Sequence, residues 1–387
     1  MADGERFAAV IDGAADPTVD RSVGEGAPPA EIVDATDWPA TRWDELAVRS
    51  PGGHAFQSHV WGEQKASGGW TIRRLALRAG RTGDDWLAVV SLQERRLGPW
   101  PVLYAPRGPI LLGEPETVAL PVLRALAEFA RRRRAVSLTI DPLWEDGGPA
   151  AAALAAAGFR PSPRPIQVSR TAMLVPLVAD EREQHRLLRK STANLINRAR
   201  RVGVTVEQVG DGPTADPSAR AALESALGRM WDLLAATARR EGIVLRARAY
   251  QIAQWRSLVA AGHAWLWFAG PDGRREVGAV VLRCGDRLHL YQAGSADEAR
   301  LAETNANHLL QWSILRWAVD AGFRAYDLGG VDTPRAPGIP AGPDHPLWNL
   351  YLFKRGFGAR PVLFVPAHEA SGSRWLGGLW RLARRRR

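Results

Sequence analysis

The same order of elements is written twice along this chain of 387 residues, and a repeated order restricts the fold more than any single motif does. In the first half, "WLAVVSLQERR" and "WPVLYAPRGPILL" read as strands. The helical "ALPVLRALAEFARRRR", the strand "AVSLTID" and a second helical stretch, "PAAAALAAAGFRP", follow, the last ending in a Gly-Phe turn. In the second half, "EVGAVVLRCGDRLHLYQAG" gives two strands and "NANHLLQWSILRWAVDAG" a helix. "FRAYDLGG" is then a strand closing on a carboxylate, and "LYLFKRGFGARP" a further strand with its own Gly-Phe turn. The helices repeat apolar residues at three- and four-residue spacing, and the strands are short and rich in Val, Leu and Ile.

Two copies of a β-β-α-β-(α)-β unit predict an α/β chain with two tandem GNAT-like domains (the acyl-CoA N-acyltransferase fold). The order is compatible with that fold and does not alone establish it. The length suits two cores. Residues 1–36, aperiodic and rich in Ala, Gly, Asp and Pro, read as a disordered leader. Residues 37–172 and 173–361 are the expected domains, 362–370 a strand returning to the first, and 371–387 a basic amphipathic tail. An acetyl-CoA enzyme of this fold needs a Gly-rich R/Q-x-x-G-x-G/A turn, whose N–H groups hold the pyrophosphate at a helix N-terminus. The chain offers "GEPETVALPVL" and "GSADEARLAETNANHLL" at those two places, and neither matches. CoA is therefore not expected as the acyl carrier, and no cofactor is expected.

The net charge of +10 and pI near 10.6 favour polyanionic partners: nucleic acid, an anionic membrane face or a phosphorylated substrate. A lone cysteine, Cys284, excludes an internal disulfide and fits a reducing compartment. The histidines are scattered without an HExxH pair, so no metal site is expected. No apolar run is long enough to span a bilayer, and the N-terminus lacks the form of a signal peptide. The expected location is the cytoplasm.

"FQSHVWGEQK", "YAPRGPI", "LLRKSTANLINRARRVGV", "YDLGGVD" and "LYLFKRGFG", in that order over about residues 40–365, together resemble the Fem-type aminoacyltransferases (FemABX family). The resemblance implies two GNAT-like domains working without CoA. It implies aminoacyl-tRNA as donor and the stem-peptide amine of a peptidoglycan precursor, lipid-linked or nucleotide-linked, as acceptor. The chain looks like a short type, without the helical arm of some members.

Carried over by motif, the resemblance makes Lys354 and Phe353 the family's catalytic "FK" pair. A fixed cation suits the chemistry, because an amine attacking an ester creates an oxyanion that a positioned ammonium stabilises. No Ser or Cys nucleophile is needed. Asp141, closing "AVSLTID", matches an aspartate near the acceptor, where a carboxylate can hold an ammonium or take its proton. Lys65 matches a lysine at the substrate's phosphate-bearing end. Arg246 and Tyr250 match an Arg and a Tyr four apart, which on a helix share a face. The family has tyrosines where this chain has Val136 and Gln292, the latter with Tyr291 beside it. Those departures leave open a small antibiotic-like amine or peptide as acceptor. A CoA-dependent N-acyltransferase for polysaccharide synthesis is the other alternative.

Two basic stretches complete the reading. On one helix, Arg186, Lys190, Asn194, Asn197 and Arg201 would form a polar stripe able to track tRNA phosphates. Residues 374–387 of "SRWLGGLWRLARRRR" interleave Trp and Leu with arginines, which suits peripheral contact with the anionic inner face of the plasma membrane. A Pro/Gly-rich insertion, "DTPRAPGIPAGPDHP", separates "YDLGG" from the lysine segment and reads as a lid or a long loop.

Overall fold

The computed structural model describes residues 29–372, apart from 81–82, 164, 167, 211, 213–215, 297–301 and 334–335. The described chain forms two compact units. One contains Ala172–Val331 and Ile339–Pro361; the other contains the chain up to Thr171, Asp332–Gly338 and the chain from Val362.

The N-terminal unit is built on β1 (Ala30–Asp34), β2 (Thr71–Ala79), β3 (Trp86–Leu97), β4 (Trp100–Ala105), β5 (Ile110–Leu111), β6 (Ser137–Ile140) and β7 (Arg160–Pro161). Its helices are α1 (His59–Ser67), α2 (Pro115–Arg132) and α3 (Pro149–Ala156), and β15 (His368–Ala370) joins the same sheet. The strand order is β1-β2-β3-β4-β6-β15-β7, with β5 on β3. Only β4 and β6 run parallel, pairing Val102–Ala105 with Ser137–Ile140. All four residues of β6 are buried, as a central strand covered on both faces requires. Leu123 and Leu126 of α2 pack on Leu92, Leu103 and Leu138 in the core.

The second unit contains β8 (Thr171–Pro176), β9 (Val204–Val209), β10 (Ala264–Pro271), β11 (Val277–Cys284), β12 (Arg287–Ser295), β13 (Ala325–Gly330) and β14 (Arg360–Leu363). Its helices are α4 (Glu181–Arg186), α5 (Lys190–Arg201), α6 (Pro217–Glu241), α7 (Arg248–Ala260), α8 (Ala306–Asp320) and α9 (Trp348–Gly356). Read from β9, the order is β9-β10-β11-β12-β13-β8-β14. This matches the other sheet strand for strand, and the β12–β13 pair is parallel as β4–β6 is. The two units are thus two tandem GNAT-like α/β domains. Their sixth strands have opposite origins: β8 precedes its own unit's other strands, whereas β15 arrives from the end of the described chain.

Three expectations are corrected. Residues 30–34 of the expected leader form β1, paired antiparallel with β2 from Ala30↔Ala79 to Asp34↔Leu75; residues 1–28 lie outside the described residues. The "LYLFKRG" segment is not a strand but the helix α9, which buries Tyr351 and Lys354, three apart, and leaves Leu350 39% exposed. A run of consecutive apolar residues suits a strand or a helix equally, and here helical spacing decides which side chains are covered. The linker helix is also divided. Arg186 ends α4, and Leu187–Arg189 separate it from Lys190 on α5, so the expected stripe is not continuous.

Two constellations of candidate functional residues

Strands β12 and β13 pair only through Arg287–His289 and Ala325–Asp327. Beyond that the strands part. A bulge where Val280 pairs with Gln292 but Val281 with Leu290 leaves Tyr291 as the extra residue, which bends β12. The left-handed turn at Gly329 (φ 80°) ends β13's run beside it.

Lys354 occupies this opening. Its side chain is buried, and Nζ donates to the Gly330 carbonyl at 2.7 Å. A Cβ built on Gly329 would stand 3.6 Å from Nζ and 3.7 Å from the Leu290 carbonyl oxygen, which locates the ammonium at the wedge between the strands. Burial pulls the Lys354 pKa down to about 8, with Asp327 opposing that shift. Asp327 is itself held on both oxygens: the His289 Nδ1 lies 2.9 Å from Oδ2, and the Gly329 N–H donates to Oδ1 at 2.7 Å. Burial works against the Asp327 charge, but His289, Gly329 and Lys354 outweigh it and keep the carboxyl below its ordinary value.

Helix α9 is fixed by close approach. A side chain at Gly356 would collide with Thr192 Oγ1 of α5, and the Gly356 carbonyl accepts the Arg189 N–H at 2.9 Å. Phe353 packs edge-on against His308 of α8 at 5.0 Å and against Phe357 at 5.2 Å. Burial takes His308 down to about 4, so the ring beside Phe353 is neutral at physiological pH.

Tyr291 donates its hydroxyl to Gln254 Oε1 at 3.2 Å, and burial pushes its pKa up to about 12. Gln292 turns its Oε1 to Trp255 Nε1 (2.8 Å) and Gln251 Nε2 (3.3 Å), so that oxygen is committed to α7. Arg246 does not share a helical face with Tyr250. Ala247 is an extended N-cap (φ −56°, ψ 139°), so Arg246 precedes the first turn of α7. Its guanidinium nevertheless lies 5.5 Å from the Tyr250 ring centroid.

In the N-terminal unit, Asp141 follows the parallel strand β6 and is 3% exposed. Tyr104 donates to its Oδ2 at 3.0 Å and the Arg107 N–H to its Oδ1 at 2.5 Å. Burial raises the Asp141 pKa to about 6 against these donors. The loop carrying Arg107 is anchored by Gln57, whose amide replaces a missing strand neighbour of Ser91. Gln57 Oε1 accepts the Ser91 N–H at 2.6 Å, and Nε2 donates to the Pro106 carbonyl at 2.6 Å and the Ser91 carbonyl at 3.3 Å. A Cβ at Gly108 would stand 2.8 Å from the Gln57 amide carbon. Lys65 lies on α1 with its ammonium 4.5 Å from the Trp61 ring centroid.

On α5, Lys190, Asn194, Asn197 and Arg201 are exposed opposite the buried Thr192, Ala193, Ile196 and Ala199; Arg186 is exposed on α4. The Pro/Gly-rich insertion is anchored at its base by buried Asp332, which accepts from Ser169 Oγ, the Thr171 N–H (2.9 Å) and hydroxyl (2.6 Å), and the Gly338 N–H (3.2 Å). The basic tail, 374–387, lies outside the described residues; among the described ones no helix is long and apolar enough to cross a membrane.

The candidate residues therefore fall into two constellations. Asp141 and Lys65 belong to the N-terminal unit; Lys354, Phe353, Arg246, Tyr250, Tyr291 and Gln292 belong to the second. Sequence reasoning passed over Gln57, Tyr104, Arg107, His289 and Asp327. All but His289 stand inside motifs already singled out. A further signal was available: the 51 basic residues include only three lysines, and these are Lys65, Lys190 and Lys354. Arginine cannot give up its proton and presents a broad fork, so a lysine kept in such a chain points to a place needing a compact ammonium.

Residues 39–146 match the FemAB family, and residues 188–335 match an acetyltransferase (GNAT) domain. The crystal structure of FemX is similar over 91% of this chain and 100% of its own, with a TM-score of 0.72 at 19% identity. A conserved protein of unknown function from Bacteroides thetaiotaomicron is similar over 89% of this chain and 99% of its own, with a TM-score of 0.54 at 9% identity. The comparison with curated proteins gave no match.

Proposed function

We propose that this chain is a FemABX-type transferase that moves an amino acid from aminoacyl-tRNA to the stem-peptide amine of a peptidoglycan precursor. The observation that carries the reading is the Lys354 ammonium, buried at the β12–β13 wedge with the Gly330 carbonyl as its hydrogen-bond partner among the described residues. An ammonium has three N–H donors. One is used by Gly330, and two are left for a developing oxyanion. A neutral ester carbonyl gains little from them, whereas the tetrahedral intermediate gains much, so the interaction acts on the transition state.

The acceptor amine attacks the ester carbonyl of the aminoacyl group. A C–N bond forms, the carbonyl oxygen takes the negative charge, and Lys354 stabilises it. Collapse breaks the C–O bond to the tRNA ribose, whose oxygen takes up the proton lost by the amine. Asp141 orients that amine and accepts its proton, a role suited to a carboxyl that titrates near 6. Phe353 shapes the donor pocket. Lys65, Arg246, Tyr250, Tyr291 and Gln292 are the residues assigned to holding the precursor.

Donor docking is supported by the basic face of α4 and α5. Arg186, Lys190, Arg198, Arg200 and Arg201 are exposed, and none has a carboxylate within ion-pair distance among the described residues. Some exposed arginines elsewhere are paired, as Arg131 and Arg132 are with Glu128 and Arg256 is with Glu224. A basic stripe without counter-charges suits an RNA backbone. The tail at 374–387 would add peripheral membrane contact if the acceptor is lipid-linked.

The test is incubation with mixed charged tRNAs and lipid-linked or nucleotide-linked precursor, followed by mass spectrometry. One amino-acid residue added to the precursor is expected; no product from any charged tRNA would overturn the reading. The match of residues 188–335 to an acetyltransferase domain favours a second reading, acyl transfer from CoA, and acetyl-CoA in place of tRNA is the arm that reads it.

A further inference from the structure

Asp327 and His289 are buried or half-buried titratable groups that the transfer chemistry above does not use. They stand on the two strands that part around Lys354, β13 and β12. The pair closes the last rung before the opening, since His289 and Asp327 are register partners. One Asp327 oxygen faces His289 across the strands, and the other takes the Gly329 N–H, which turns the chain so that Gly330 presents its carbonyl to Nζ. No carboxylate stands within ion-pair distance of Nζ among the described residues, so Asp327 acts on it through space.

We propose that Asp327, tethered by His289, is the positioning residue for Lys354: it fixes the end of β13 so that Gly330 receives Nζ, and its charge keeps the ammonium a cation inside the wedge. The inference rests on the reading of Lys354 as the oxyanion-stabilising group. Few other groups compete. His308 of α8 reaches Phe353 and Phe357 rather than Nζ and is neutral, Arg355 of α9 is exposed, and α5 meets α9 here through the uncharged Thr192. Burial favours loss of the proton, and Asp327 is the group that opposes it. A structural carboxylate would secure the turn equally well as an amide; a positioning carboxylate must also set the titration of Lys354.

With three lysines in the chain, side-chain ammonium NMR on lysine-labelled full-length protein resolves each one. The wild-type Lys354 midpoint is expected near 8, below the ordinary lysine value. In Asp327→Asn it should fall about tenfold further in proton affinity, and Asp327→Glu should restore most of the loss. If the amide variant does not fold, Asp327→Ser, which also accepts the Gly329 N–H without a charge, gives the same reading. An unmoved Lys354 midpoint in the neutral variant overturns the proposal. Because the titration needs no substrate, a protein that transfers no amino acid would contradict the proposed function and leave this result standing. In an active protein, the alkaline limb of kcat should move to lower pH in Asp327→Asn by the same amount as the midpoint.

Discussion

Tyr104 donates its hydroxyl to Asp141 across 3.0 Å, and both groups sit where the parallel strands β4 and β6 end. Burial moves both titrations upward: Asp141 to about 6, and Tyr104 well above its ordinary value with the Asp141 charge adding to the effect. The hydrogen bond is thus between a neutral phenol and a carboxyl that changes charge within reach of physiological pH.

Asp141→Asn should stabilise the protein above neutral pH while lowering transfer. The folded Asp141 titrates near 6 and the unfolded one near 3.8, so the folded state binds more protons between those values. Wild-type stability should therefore fall as pH rises from about 4 to 6, whereas the amide, which can still serve Tyr104 and Arg107, avoids that loss. A gain of about 1–3 kcal/mol at pH 8 that vanishes near pH 4 is expected from urea unfolding at both pH values.

Lys354→Ala should reduce kcat by about 10²–10³, the usual effect of removing one oxyanion donor, with the fold intact by circular dichroism. In the wild type, transfer should decline above about pH 8 as the ammonium deprotonates. Stability has the opposite trend. Unfolded lysine keeps its proton to higher pH than Lys354 does, so this group's destabilising contribution is fully present below about 8 and fades as pH rises beyond it. Lys354→Arg should not restore activity, because a planar fork cannot take the place of a compact ammonium.

Gly356→Ala should cost about 1–3 kcal/mol, since its methyl group would collide with Thr192 Oγ1 and force α9 away from α5. Thr192→Ala removes the colliding atom. A double-mutant cycle should show the second substitution recovering much of the loss from the first, and transfer should recover with it. Simple additivity would place the cause elsewhere.

Charge reversal at Lys190, Arg198 or Arg201 should raise KM for charged tRNA without changing kcat. Each phosphate contact removed should reduce the slope of log affinity against log salt by about one. Filter binding at several salt concentrations checks this. Reversal at Arg186 tests whether α4 adds to the surface, since the two helices are separated at Leu187–Arg189.

The doubled element order was legible because each copy needs one apolar face per helix and buried central strands, and both leave periodic traces. The "TID" strand and the "YDLGG" strand take matching positions in the two sheets for that reason. Lys354 stood out through its motif, but its helix did not, because Leu350–Phe353 satisfies either period until neighbours choose which residues to cover. The leader was misread at Ala30–Asp34 because an edge strand with half-buried residues owes its order to pairing with β2, not to its own composition.

From the amino-acid order alone came the α/β class, the duplicated GNAT-like organisation and the cations retained as lysine; these depend on local periodicity and residue type. Tertiary structure alone decided that Lys354 enters a wedge opened by a bulge at Tyr291, that Gln57 props the Arg107 loop under Asp141, and that His289 meets Asp327. Such partners are tens of residues apart, and their burial, which sets the charges, exists only once the sheets have formed.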